Sequence, residues 1–194
     1  MTIVTNIFII INILLSGYYL YLHCLPFELG KIILGIVSIL LIIVPLIIEK
    51  FCKLKIEKYI KTIYYFFLFI AFILGILFSF YYSTAYFDLI VHFLFGFFAS
   101  IILSNNIKVS NWKKWIIVIS CVLLLGFLWE FLEFLSDICF GTDHQRKISG
   151  ATDTMTDLLI SALGSFVAVG YFYFMNLYLF HGGFCGLVGF TILI

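Results

Sequence analysis

Apolar residues dominate this chain in runs of about 20, the length an α-helix needs to cross the hydrocarbon of a bilayer. Such runs lie at about 3–23, 31–49, 62–83, 87–104, 114–138 and 154–175, and they are separated by short polar connections. No alternating apolar–polar stretch competes with them as a strand. The pattern predicts an all-α, polytopic membrane bundle of six transmembrane helices forming a single integral membrane domain over 1–194. The closing stretch 176–194 is apolar but broken by His181, Gly182, Gly183, Gly186 and Gly189. It reads as an apolar tail or a short extra span. The first run lacks a basic leader and a small-residue cleavage site, so it is expected to stay as a helix.

Loop charges give the direction of threading. Lys50, Lys53, Lys55, Lys58 and Lys61 lie between runs two and three, and Lys108, Lys113 and Lys114 between runs four and five. The opposite loops hold Lys31, Arg146 and Lys147, so eight cations face three. Cytoplasmic loops carry the excess of Lys and Arg, which predicts that both termini are cytoplasmic. Trp112 and Trp115 then fall at the inner interface, and Tyr81, Tyr82 and Tyr86 at the outer one. The lysine-rich loop is a topology signal first and a contact for anionic headgroups second.

Composition agrees. Of 194 residues, 64% are hydrophobic and 11% charged, with net charge +1, which excludes a soluble domain and a nucleic-acid binder. The partners expected are membrane lipids. The five cysteines form no C-x-x-C pair and read as small apolar residues. The Ile, Phe, Lys and Asn bias is that of an AT-rich bacterial genome, and the expected location is the bacterial plasma membrane. Gly96 with Ser100, Ser161 with Ser165, and Gly164 with Ala168 are small-xxx-small pairs, which let membrane helices approach closely.

Seven ionisable side chains interrupt this pattern. Asp88, His92, Glu130, Glu133, Asp137, Asp153 and Asp157 fall within or at the ends of runs four, five and six. Each group of this kind costs about 2.5–3.5 kcal/mol at the centre of a membrane helix on insertion scales. Their spacings are i, i+4 for Asp88–His92 and Asp153–Asp157, and i, i+3, i+7 for Glu130–Glu133–Asp137, so each set occupies one helix face. The predicted threading puts all of them in the outer half of the bilayer at overlapping depths, with Glu130 deepest at roughly 10 Å below Asp137. Asp88 and Asp153 stand where helix N-caps occur, but Glu130 and Glu133 lie too far inside a span for that explanation. No lysine or arginine lies within these spans. Either some carboxyls keep their protons or a cation occupies the site. Oxygen donors with one imidazole suit a divalent metal. The metal ligands expected are Asp88, His92, Glu130, Glu133, Asp137, Asp153 and Asp157. His92, Glu130, Glu133 and Asp157 are the candidate catalytic groups. The polar loop 139–152 reads as a lid, as a source of substrate contacts through Gln145 and Arg146, or as a solvated hairpin between two helices.

Phe87-Asp88-Leu89-Ile90-Val91-His92-Phe93 followed by Gly96-Phe97 resembles the YD-x-x-x-HF-x-x-GF segment of the YjdF-like bacterial inner-membrane proteins. Glu130-Phe131-Leu132-Glu133 is similar to their E-x-x-E segment. Gly141-Thr142 and Asp153-Thr154-Met155-Thr156-Asp157 are similar to their GT…D-T-x-x-D stretch. The likeness covers about 85–170 and departs in a longer loop from Asp143 to Thr152. A looser similarity links the chain to VanZ-like proteins, which also pair D-x-x-x-H with acidic residues before a final helix. The resemblance implies the membrane location and the site residues, and no particular activity. Three functions fit the residues. The first is an enzyme that uses a divalent metal on a lipid or cell-envelope intermediate, with His92 or Glu133 as base. The second is a proton- or cation-linked transporter, which the dry inner half and the lack of an inverted repeat disfavour. The third is a non-catalytic membrane factor.

Overall fold

A computed structural model describes residues 3–51, 56–84, 86–107, 109, 112–141, 143 and 150–181, with side chains as far as 174. Its helices are α1 (Ile3–Cys24), α2 (Leu29–Phe51), α3 (Lys58–Leu68), the short α4 (Phe80–Ser83), α5 (Phe87–Asn106), α6 (Trp112–Phe140) and α7 (Gly150–His181). A π-helical stretch, Phe69–Leu77, continues α3. Among the described residues, six helices are long and apolar enough to cross a membrane, counting α3 with its π stretch as one. The stretch expected as a tail begins as helix, since α7 continues to His181, and 182–194 lie outside the described residues.

The bundle is apolar outside and partly polar within, the inverse of a soluble protein. On α1 the buried residues are Thr5, Asn12, Ser16 and Tyr19, while Ile3, Ile10, Leu14 and Tyr21 face outward. Hydrogen bonds across helices replace the missing hydrophobic force. Thr5 meets Thr62 at 2.6 Å, and Asn12 Nδ2 donates to the carbonyls of Phe8 and Tyr65 at 2.7 and 3.1 Å. Pro45 sits inside α2 and has no N–H to give the carbonyl of Leu41, four residues back. The Tyr64 hydroxyl donates to that carbonyl at 2.7 Å, and Tyr65 beside it donates to Ile42 at 3.1 Å. The gap that Pro45 leaves in the hydrogen-bond ladder of α2 is thus filled from α3, as hydrocarbon requires. At the lysine-rich end Lys61 pairs with Glu49 at 2.6 Å, tying α2 to α3.

The helix pair that matters most for the site is α5 and α7. A Cβ on Gly96 would strike the backbone carbonyl of Ser161, and one on Gly164 would strike that of Phe93. Only glycine allows backbones this close, and Ser100 and Ser165 seal the same seam at 2.7 Å. The small residues picked out by spacing therefore form the crossing. Span three ends sooner than its apolar run implies. Phe78 N–H reaches the Ile73 carbonyl and Ser79 adopts a left-handed φ of 57°, so the helix stops at Leu77 and restarts as α4. The apolar run continues across that break, so hydropathy cannot mark it.

Candidate functional site

Because neighbouring spans alternate in direction, α5 and α7 begin at the end of the bundle where α6 finishes. Asp88 and Asp153 stand in the first turns of α5 and α7. Asp88 does not cap its helix: the cap position is Tyr86, and it makes no side-chain cap bond. One turn further in, His92, Glu130 and Asp157 are buried to 6%, 3% and 2% exposure. The Gly96–Ser161 and Gly164–Phe93 contacts bring α7 against α5 just below this level, which is why Asp157 can reach His92.

The imidazole is the hub. Its Nε2 lies 3.6 Å from Asp88 Oδ1, 3.6 Å from Glu130 Oε1 and 3.9 Å from Asp157 Oδ2. Its Nδ1 lies 3.4 Å from Ser161 Oγ, one turn below Asp157 on α7. Separations of 3.6–3.9 Å exceed a direct hydrogen bond. One ligand atom each from Asp88, His92 and Asp157 lies within 4.8 Å of the others. Donor atoms grouped this closely can share one ion, since oxygen and nitrogen bind divalent cations at roughly 2.0–2.5 Å. Asp88, His92 and Asp157 are thus the donor set best placed for a metal, and Glu130 stands beside them.

The remaining predicted residues occupy a second tier. Glu133 accepts a hydrogen bond from the Trp129 indole at 2.7 Å, and Trp129 is held by an edge contact to Phe72 of the π stretch, centroids 6.0 Å apart. Asp153 is near enough to act electrostatically on both His92 and Glu130. Asp137 lies one turn beyond Glu133, half-buried, near the end of α6, and its carbonyl accepts the Gly141 N–H. It is not among the three carboxyls that ring His92. Gln145 and Arg146, the candidate substrate contacts, lie outside the described residues.

Three neighbours of the cluster were not foreseen. Thr154 hydrogen-bonds the Glu130 carboxyl, bridging α7 to α6. Ser161 is i+4 from Asp157, so helical spacing already put it on the same face. Tyr81 corrects an expectation. It was assigned with Tyr82 and Tyr86 to an interfacial belt, yet only Tyr82 and Tyr86 are widely exposed, at 77% and 71%. Tyr81 turns inward, packs over Gly75 and meets Phe87 edge-on with centroids 5.1 Å apart. Burial pushes its phenol well above the usual tyrosine range, and the nearby Asp88, Glu133 and Asp157 push it the same way. The break at Ser79 aims it there, and nothing in the local sequence announces that break.

With the geometry in place, the chain can be set against known proteins. Residues 5–177 match the family described as "Predicted membrane protein (DUF2238)". The chain belongs to this family. It is the family of the YjdF-like proteins whose motifs Asp88, His92, Glu130, Glu133, Asp153 and Asp157 resemble. Searches of curated proteins and of solved structures returned no match. This family member is an integral, multi-pass membrane protein with a buried acidic/His cluster between α5, α6 and α7.

Proposed function

We propose that this protein binds a divalent cation in the outer half of the bilayer and uses it on a lipid or cell-envelope intermediate. The observation that carries the reading is the convergence of Asp88, His92 and Asp157, with ligand atoms within 4.8 Å of one another inside a membrane-spanning bundle. Carboxylate oxygens and one imidazole are donors for Mg²⁺, Mn²⁺ or Zn²⁺. Such an ion supplies Lewis acidity toward a phosphoryl or carbonyl oxygen. The chain's own residues do the rest. Glu130 and Glu133 sit next to the donor set as bases, Trp129 fixes the rotamer of Glu133, and Ser161 steadies the ring of His92. The outward assignment rests on the excess of lysines in the loops at the other end. A site reached from one face only favours an enzyme or binder over a transporter, and no acid of α5, α6 or α7 lies in the lysine-side half of its helix.

Elemental analysis of detergent-purified protein tests the reading. Wild type should carry about one equivalent of divalent metal per chain, and Asp88→Asn and Asp157→Asn should each lose about nine-tenths of it or more. A metal-free wild-type protein that also fails to take up Mn²⁺ on titration would end the proposal.

A further inference from the structure

Packing does not account for Tyr81. The short α4 lies between two spans and starts at the left-handed Ser79, whose carbonyl accepts the N–H groups of Tyr82 and Ser83 at 3.0 Å each. That turn lays the Tyr81 ring on the π stretch at Gly75, where a Cβ would strike it. The ring also belongs to the apolar cluster that contains Phe72, Phe87, Val91 and Trp129. Phe87 and Val91 precede Asp88 and His92 in the chain, and Trp129 holds Glu133. Asp88, Glu133 and Asp157, one carboxyl from each of α5, α6 and α7, all act electrostatically on the phenol. Tyr81 therefore comes to the cluster from outside the three helices that build it. Phe80 meets the same Phe87 ring with centroids 5.4 Å apart and no hydroxyl, so the packing here needs no phenol.

The other neutral donors of the site are already committed. The Trp129 indole donates to Glu133, Thr154 bonds the Glu130 carboxyl, and Ser161 Oγ faces His92 Nδ1. Among the described residues the Tyr81 hydroxyl has no hydrogen-bond partner. A donor left unmade in a packed interior is costly and calls for a partner. From this we infer that the Tyr81 hydroxyl donates to a phosphoryl oxygen of the ligand that meets the cation. The inference rests on the proposed cation site and adds to it a contact from the first half of the chain. A neutral donor suits the place. A lysine or arginine there would pair with Asp88 and compete with a cation for it, whereas a phenol leaves the carboxylates free. Depth favours a phosphoryl group. Tyr81 belongs to neither flanking span, Lys58–Leu77 nor Phe87–Asn106, and Asp88 lies in the first turn of α5. Lipid phosphates lie at that level, outside the hydrocarbon.

Mn²⁺ and inorganic phosphate are the probes, used on full-length protein in a phosphorus-free maltoside detergent. Electron paramagnetic resonance reads Mn²⁺ uptake, and broadening of the phosphate NMR resonance reads phosphate binding to the Mn²⁺-loaded protein. Tyr81→Phe keeps the ring on Gly75 and Phe87. It should take up Mn²⁺ within about twofold of wild type and bind phosphate about tenfold more weakly or worse, the loss of one hydrogen bond to a charged group. Tyr82→Phe, at a side chain that is 77% exposed, should match wild type in both measurements. Equal phosphate affinity in wild type and Tyr81→Phe would overturn the inference, since the ring would then contribute packing alone. Loss of Mn²⁺ and phosphate together in Tyr81→Phe would overturn it too, because the hydroxyl would be serving the cluster itself. So would a Mn²⁺-loaded wild type that leaves the phosphate resonance sharp. A wild type that takes up no Mn²⁺ ends the cation site and this inference with it, whereas the other three failures leave the cation site standing.

Discussion

Gly96 and Gly164 decide how near the Asp157 carboxyl comes to His92. Both touch backbone of the opposite helix, so neither can yield space to a side chain. Gly96→Val and Gly164→Val should each destabilise the protein by about 1–3 kcal/mol, the range for overpacking a close contact. Gly170→Ala is the control. A Cβ there meets nothing within 4 Å, so the change should be neutral or stabilise by up to about 1 kcal/mol through helix propensity. Thermal unfolding in detergent reads all three; equal melting temperatures for the valine variants and wild type would mean that α5 and α7 are free to part. These glycines were legible as small-xxx-small pairs, and the acids as polar groups misplaced in apolar runs. Tyr81 was not, because a tyrosine near a span end reads as interfacial unless the backbone is known to turn it in. Thr154 was overlooked for a related reason: a threonine is cheap in a membrane helix, so it sends no signal of misfit.

At the scale of the helix, the irregular elements carry the most information. The proline in α2 and the π stretch after α3 both leave backbone groups without their usual helical partners. In α2 the remedy comes from the next helix, through Tyr64 and the Leu41 carbonyl. Tyr64→Phe should therefore cost about 1–3 kcal/mol, the penalty for a buried acceptor left unmade. In a Pro45→Ala background the restored N–H can serve Leu41 instead, and the same change should cost less than half as much. A double-mutant cycle on unfolding free energies measures this, and an equal cost in both backgrounds would show that Tyr64 contributes only its packing. Proline 45 was visible in the sequence, but its partner was not, since the two lie on different helices. The π stretch was invisible for a different reason. Its residues, Phe-Ile-Ala-Phe-Ile-Leu-Gly-Ile-Leu, are as apolar as any α-helical span, and hydropathy does not distinguish i→i−4 from i→i−5 bonding.

For the molecule as a whole, the remaining question is which end faces outward. Cys24 closes α1 and Cys139 lies in the last turn of α6, both exposed and both at the end that holds the acidic cluster. Cys121 lies within α6. If the lysine loops are cytoplasmic, a membrane-impermeant maleimide added to intact cells should label Cys24 and Cys139 and spare Cys121. Labelling of the first two only after lysis would reverse the orientation, and with it the access route to the site. By itself the sequence determined the all-helical class, the six spans, and which acids share a face at a common depth. Those follow from hydropathy and from 3.6 residues per turn, which are properties of each segment alone. Only the tertiary structure decided that α7 lies against α5 at the glycines, that Asp88, Glu130 and Asp157 surround His92, and that Tyr81 turns inward. Neighbour choice depends on how separate helices fit together, and no local periodicity encodes that fit.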